Sequence, residues 1–265
     1  MRRLTANDIA SAMELSRLAG WNQAPRDWRL LLALAPNTCF CIESEGRVVA
    51  TSALVPFGRQ LASVGMVLTH PDYRRRGFAR QLVQHAIEQA GQLGIPTVKL
   101  DATESGRPLY EALGFRAEQP VERWVREGSH QDPAIVSNGS LPLDLDRQAC
   151  GYDRADLLSL LSAASYCIAG ANGYLMCRPG ALNTYLGPCV ARNHSTAEGL
   201  IGQYIEQQPG AGYFWDLLPL GNKNAAHLAQ SLGFQCSRRL TRMALGPHLR
   251  GREECIYAIA GFEFG

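Results

Sequence analysis

The sequence lacks the patterns by which metal and disulfide sites are usually recognised. Its eight cysteines are scattered through apolar stretches, with no CxxC pair and no group of His and Cys residues at the spacing of zinc ligands. We therefore expect reduced thiols that lie mostly in the core, and no bound metal. The cysteines are Cys39, Cys41, Cys150, Cys167, Cys177, Cys189, Cys236 and Cys255.

The sequence also has little net charge and no long apolar run. A formal net charge of +2 gives no global field that would attract nucleic acid or a membrane surface. Neither a helix-turn-helix pattern nor a basic face with interleaved aromatic residues is present. No segment approaches the length of a membrane span, and residues 1–5 lead into a helix with charged positions. These absences predict a cytoplasmic protein with no nucleic-acid or membrane partner.

What the sequence does contain is enough apolar material for two domains of mixed α and β structure. It has 265 residues, of which 46% are apolar. Helical periodicity and β-rich runs predict the order ααβββαβα in the first half, with a hairpin turn at Ser44-Glu45-Gly46. Helices are expected near residues 7–19, 25–34, 77–93 and 108–113, and strands near 38–43, 47–56, 61–69 and 98–102.

A stretch rich in Gly, Ser, Pro, Asn and charge predicts where the first domain ends. It has little periodicity, as is typical of a linker. We place a first domain at residues 1–127, the linker at 128–144 and a second domain at 145–265.

The second half repeats part of the first. Residues 109–115 read LYEALGF and residues 228–234 read LAQSLGF, each after a β-rich run. The first half has an arginine-rich turn at residues 74–79. The corresponding segment of the second half is 191–197, which lacks both the run of arginines and the glycine of that turn. We therefore expect the second copy to have lost any phosphate site that the first copy has.

The turn at residues 74–79, RRRGFA, follows a predicted strand and opens a predicted helix. Such a turn leaves backbone N–H groups unpaired at one spot, where the helix dipole adds positive potential. Gly77 allows close approach of an anion, Ala79 keeps the first helical turn slim, and the arginines supply charge-assisted hydrogen bonds. The GxxxxGK[ST] spacing of nucleotide-hydrolysing loops is absent. The turn therefore predicts binding of a pyrophosphate without its cleavage.

The segment from Leu68 to Ala79 resembles the coenzyme A motif [Q/R]xxGx[G/A] of the GNAT N-acetyltransferases. Asp101-Ala102-Thr103 and residues 109–115 resemble the second motif of that superfamily, and the second half is similar to the weaker domain of a bacterial tandem subgroup. The resemblance implies an α/β (α+β) fold with a mixed sheet in each of two tandem GNAT domains. It also implies that acetyl-CoA is the co-substrate.

By the same resemblance, two neighbouring strands splay apart and one of them pairs with the pantetheine arm. The positions that would contact the cofactor are Val67, Leu68, Thr69, Arg74, Arg75, Arg76, Gly77, Phe78, Ala79, Thr103 and Tyr110.

The implied reaction is direct attack of a neutral primary amine on the thioester. Tyr110 would protonate the departing thiolate, since a phenol with a pKa of about 10 is protonated at neutral pH. The base is open at this point: Asp101 is the leading candidate, and Glu104, His70 or relayed waters are alternatives.

The acceptor is expected to be a small-molecule amine. Trp21, Asn22 and Trp28 fall where the superfamily shapes its acceptor pocket, although paired tryptophans also serve to join helices. Asp216 corresponds in the second half to Asp101, and it either lines a pocket between the domains or caps a strand. Two alternatives are a non-catalytic acyl-CoA sensor and a protein lysine acetyltransferase. Whether the chain forms a homodimer, and which acyl groups it uses, stay open.

Overall fold

A computed structural model describes residues 1–264 of the chain. They form one mixed sheet of thirteen strands with eight helices. The strands are β1 (Arg2–Arg3), β2 (Cys39–Ser44), β3 (Arg47–Phe57), β4 (Leu61–Thr69), β5 (Thr97–Ala102), β6 (Arg116–Arg126), β7 (Val136–Asn138), β8 (Tyr166–Gly170), β9 (Gly173–Arg178), β10 (Thr184–Ala191), β11 (Tyr213–Leu217), β12 (Gln235–Leu245) and β13 (Ile256–Ala258). The helices are α1 (Ile9–Leu18), α2 (Pro25–Leu34), α3 (Phe78–Gln92), α4 (Arg107–Glu111), α5 (Leu143–Cys150), α6 (Ala155–Ala163), α7 (His194–Glu206) and α8 (Lys223–Ser231).

The predicted elements of the first half are present, and local chemistry explains their ends. Helix α2 begins at Pro25, which needs no N–H partner at that position, and Asp27 accepts the amide of Ala24 at 2.7 Å. The predicted hairpin turn is confirmed, because both Glu45 and Gly46 have positive φ. Strand β6, the short β1, and β7 inside the predicted linker were not foreseen.

The two halves of the chain are interleaved in the sheet through β6 and β12. Strand β12 of the second half lies between β5 and β6 of the first, with Arg242 opposite both Asp101 and Gln119. Strand β6 then pairs with β11 of the second half, where Arg123 faces Asp216. A single continuous sheet results, and its central strands have no free edge there.

The faces of this sheet carry different layers. On β4, Ala62 and Val64 join the apolar cluster under α3, as Met243 of β12 does. Leu61 points the other way, into the cluster that contains Leu15 of α1. Because strand side chains alternate, Ser63 and Gly65 share the face of Leu61, which we call the α1 face, and the other is the α3 face.

We expect a fragment of residues 1–127 not to fold as a monomeric domain, although it spans the whole predicted first domain. It lacks β12, so β5 and β6 would each keep an unpaired edge in the middle of the sheet. The measurement is urea unfolding followed by circular dichroism, with the full chain as control. Cooperative unfolding of a monomeric fragment would contradict the expectation.

Candidate active site

Strands β4 and β5 pair over a short distance and then separate. Their parallel register joins Leu61–Ser63 to Thr97–Lys99 only. Beyond Ser63, β4 continues to Thr69 with β3 as its partner, and its register shifts near Met66, which has φ +53°. The side of β4 that faces β5 is therefore without a strand partner up to Thr69. We call this opening the first gap; the predicted cofactor-binding positions Val67, Leu68 and Thr69 border it.

Helix α3 starts at the mouth of the first gap. Gly77 precedes the helix with φ +80°, a conformation that glycine adopts without strain. Within residues 1–264, the amides of Phe78, Ala79 and Arg80 donate to no protein acceptor, as expected for a first helical turn. These amides converge with the positive end of the helix dipole, so the spot suits an anion.

Three arginines surround these amides. Arg74, Arg75 and Arg76 are exposed, and none of them forms an ion pair in the described part of the chain. Arg76 lies over the ring of Tyr73, with its guanidinium carbon 4.7 Å from the ring centre. The predicted phosphate loop thus combines free amides with unneutralised charge.

Tyr110 lies on α4 at the α3 face. Its side chain is buried and meets Phe115 edge to face, with 6.1 Å between ring centres. Burial raises the pKa of Tyr110 to about 12, which keeps the phenol protonated at neutral pH. Its hydroxyl donates to no group within residues 1–264. Thr103 accepts the amide of Gly106 at 3.1 Å and so supports the turn before α4.

The predicted base Asp101 is held by a guanidinium. Both oxygens accept hydrogen bonds from Arg242, each at 2.9 Å, and the Asp101 side chain is 1% exposed. In this bidentate pair both carboxylate oxygens are engaged, and Asp101 serves as the counter-charge of Arg242. Of the alternatives, His70 accepts the amide of Asp72 at 3.3 Å, and Glu104 is exposed.

The predicted acceptor residues have unequal surroundings. Trp28 is fully buried and donates to Ser16 at 3.3 Å, so it joins α1 to α2. Asn22 accepts the amides of Leu182 and Asn183 at 2.9 and 3.0 Å, which fixes the α1–α2 connection against the second half. Trp21 is half-buried at the same connection. A role in acceptor binding stays a prediction for these residues.

Asp216 is part of a buried ion pair. Arg123 donates to its two oxygens at 2.7 and 2.6 Å, and Asp216 has no exposure. Burial raises the pKa of Asp216, while Arg123 opposes the shift. The pair joins β6 to β11, across the line where the two halves exchange strands.

A buried polar cluster on the α1 face was missed by sequence reasoning. Arg178 lies between Asp27 and Glu263, and Gln23 donates to Glu263 at 2.9 Å. The cluster borders a small cavity, which is also lined by Asn22 and Tyr185. Arg178 is 151 positions from Asp27 and 85 positions from Glu263, so no local pattern joins them. Glu263 carried no pattern that would have indicated it.

The second half contains a gap like the first, and the chain itself fills it. Strands β10 and β11 pair in parallel only over Thr184–Leu186 and Tyr213–Trp215. Beyond that point β13 pairs with β10, with Ala258 opposite Cys189. At the start of α7, Asn193 accepts the amide of Thr196 at 2.9 Å. We call this opening the second gap; its pairing edge is occupied and its helix start is partly capped.

The amino-acid sequence matches two profiles of acetyltransferase domains, one in each half of the chain. The profile described as "Acetyltransferase (GNAT) family" matches residues 7–115, and that described as "Acetyltransferase (GNAT) domain" matches residues 143–258. The chain belongs to the GNAT acetyltransferases. It is an acyltransferase with tandem GNAT domains, which confirms the predicted family, fold class and enzyme class.

Relatives and solved structures of this GNAT protein agree with that assignment. It is 28% identical over 225 residues, 78% of each chain, to an "Uncharacterized N-acetyltransferase YitH" of Bacillus subtilis. It is 29% identical to a glucosamine 6-phosphate N-acetyltransferase of Trypanosoma brucei brucei, over 45% of this chain and 90% of that one. A stretch of 107 residues is 32% identical to an amino-acid acetyltransferase of Yersinia enterocolitica, covering 40% of this chain and 24% of that one.

Two solved structures share its fold over nearly the whole chain. One is a putative acetyltransferase from Pyrococcus horikoshii, with TM-score 0.85, 19% identity and coverage of 100% and 95% of the two chains. The other is a tandem GNAT protein from the clavulanic acid biosynthesis pathway, with TM-score 0.63, 17% identity and coverage of 93% and 98%. At such identities the likeness concerns the fold alone.

Neither a metal-binding cluster nor a membrane-spanning helix is found within residues 1–264 of this GNAT protein. No three or more His, Cys, Asp or Glu side chains there are placed to hold a metal ion. None of the helices described there combines the length with the apolar character that a membrane span requires. All eight cysteines are free thiols, and seven of them are buried, as predicted.

We expect one molecule of acetyl-CoA to bind per chain, because β13 occupies the second gap. Gly77→Glu should abolish binding, since it strains a residue at φ +80° and puts a negative charge beside the free amides. Isothermal titration calorimetry measures both. Gly94→Glu is the matched control, since Gly94 has φ +68° and open space around it at the far end of α3. Two sites per chain, or unchanged binding by Gly77→Glu, would contradict the assignment.

We expect Arg242→Gln to lower the free energy of unfolding by roughly 3 kcal/mol, because it leaves the carboxylate of Asp101 buried without its partner. The double variant Asp101→Asn/Arg242→Gln should cost less than the sum of the two single variants. Urea unfolding of the four proteins gives the coupling free energy. A coupling near zero would mean that the pair does not stabilise the fold.

Proposed function

We propose that the first domain transfers the acetyl group of acetyl-CoA to a primary amine of a small molecule, by direct attack within a ternary complex. The observation that carries this proposal is the first gap, which leads from an unpaired edge of β4 to the free amides and arginines at the start of α3. A pyrophosphate fits the amides and cations, and a pantetheine arm fits the unpaired strand edge.

The proposed mechanism needs an acid for the thiolate. When the amine nitrogen has bonded to the thioester carbon, the C–S bond breaks and the sulfur takes a proton. Tyr110 is suited to supply it, because burial holds its pKa at about 12 and its hydroxyl is free of protein partners. The proton passes from the phenol to the sulfur as the C–S bond breaks, and solvent restores the proton to the phenol.

The mechanism also needs the amine in its neutral form and in line with the thioester. Orientation of two bound reactants is typically worth about 7–11 kcal/mol, so positioning supplies most of the rate. The amine proton leaves to a base, and Asp101 is a weak candidate because Arg242 occupies both its oxygens. We therefore propose that the proton leaves to water before binding, or to another carboxylate of the α1 face.

The second domain bears on the acceptor side of the site. The carbonyl oxygen of Glu263 lies so close to β4 that a Cβ on Gly65 would be 2.7 Å from it. Gly65 directly precedes Met66, where β4 changes register. Since Glu263 of the second half covers the α1 face here, the acceptor space is enclosed by both domains. An enclosed space favours a small acceptor over a lysine on a folded protein.

The test is release of coenzyme A from acetyl-CoA across a panel of small primary amines, followed with a thiol reagent. No amine raising the rate above that in buffer would count against acetyl transfer to a small molecule and favour the sensor. Acetylation of protein lysines in a peptide panel, with no turnover of small amines, would favour the lysine acetyltransferase.

We expect Tyr110→Phe to reduce kcat by about 10²- to 10⁴-fold while acetyl-CoA affinity is unchanged, because only the proton donor is lost. The ring, and with it the contact with Phe115, is retained. Tyr166→Phe, on β8 of the second half, is the matched control and should keep full activity. Equal turnover by Tyr110→Phe and the wild type would remove Tyr110 from the mechanism.

A further inference from the structure

Arg238 is a cation without a counter-ion. It lies on β12 and is half-buried, yet within residues 1–264 no carboxylate is close enough to pair with it and no protein acceptor takes its hydrogen bonds. Its neighbour Arg239 points to the other face and pairs with Glu122 at 2.9 Å. A half-buried guanidinium normally finds an acceptor, so the missing partner of Arg238 calls for an explanation.

Arg238 has a second cation as its neighbour across the sheet. It stands opposite Arg123 in the register of β12 and β6, so the two side chains share one face. Asp216 neutralises one of these two guanidiniums through its bidentate pair with Arg123. Burial, and next the charge of Arg123, lower the pKa of Arg238, while Asp216 opposes the shift. The Arg123, Arg238 and Asp216 group thus keeps one positive charge in excess.

The buried cluster of Arg178 has the opposite excess. Asp27 and Glu263 both contact this one guanidinium, and burial raises the pKa of Asp27 to about 6, with Glu263 adding to the shift. The side-chain oxygen of Gln23, Oε1, is buried and accepts no hydrogen bond within residues 1–264. An ammonium group would supply both a positive charge and donors. Arg123 borders the same small cavity, so the positive and negative groups adjoin each other.

Both groups lie on the α1 face, at the open end of the first gap. Arg238 shares its face with Arg242, because the register of β12 is regular between them. Thr241 is opposite Ala102, the last residue of β5, so Arg238 stands three residues beyond that strand's end, or about 10 Å. Glu263 touches Gly65 on the other wall of the gap.

We propose that the acceptor is an amine that also carries an anionic group, a carboxylate or a phosphate, and that Arg238 binds this group. The amine then faces the side of Asp27 and Glu263, near the thioester. This inference rests on the proposed acetyl transfer and narrows its substrate class. Arg238 binds and orients the acceptor, and it takes no part in proton transfer.

The experiment compares acceptors that differ only in the anion. L-Lysine and L-phenylalanine are each assayed against the corresponding α-amide, and glucosamine 6-phosphate against glucosamine, with release of coenzyme A as the signal. We expect the anionic member of at least one pair to have the higher kcat/KM. The pairs distinguish a carboxylate from a phosphate.

The variant Arg238→Gln should raise KM for the preferred anionic acceptor on the order of 10- to 100-fold and leave its neutral counterpart unaffected. The affinity for acetyl-CoA should not change. Arg239→Gln, which removes an exposed arginine from the other face of the same strand, is the control and should match the wild type.

The outcomes separate this inference from the proposed function. If no amine is acetylated, acetyl transfer to small molecules fails. If amines are acetylated but neutral members are used as well as anionic ones, or Arg238→Gln affects both members of a pair equally, then the anion subsite alone is overturned.

Discussion

The insertion of β12 between β5 and β6 is the constraint on which the rest of the structure depends. Backbone hydrogen bonding along both edges of β12 joins the two halves into one sheet. The same pairing brings Arg242 to Asp101 and Arg238 to Arg123. Charges that are more than a hundred residues apart in sequence thereby meet on one face. The second domain thereby places Arg238 and Arg242 of β12 beside the strands of the candidate active site.

The two gaps show how one fold gives two different outcomes. In the first gap, a short parallel register leaves one edge of β4 unpaired. Gly77 precedes α3, whose first amides have no protein acceptor and lie among three arginines. In the second, β13 takes up the free edge of β10, and Asn193 caps the helix that follows. Family membership is the same for both halves, and the difference lies in which groups satisfy the backbone.

Local pattern predicted most of the first half and the phosphate loop. The bounds of α2 and β4 follow from Pro25 and from the apolar run before His70, which are signals carried by neighbouring residues. The charged clusters were not predictable, because Asp27, Arg178 and Glu263 come together only through tertiary packing. For the same reason the pairing of Asp101 with Arg242, 141 positions away, could not be predicted.

The contact between Glu263 and Gly65 has a consequence for the order of folding. Gly65 pairs with the neighbouring strand β3, whereas Glu263 belongs to the other half of the chain, so their contact closes a long loop at a larger cost in chain entropy. The strands and the helix around the phosphate loop can therefore assemble before the α1 face of β4 is covered. Substitutions that loosen the packing of Glu263 would uncover this face and leave the phosphate loop intact.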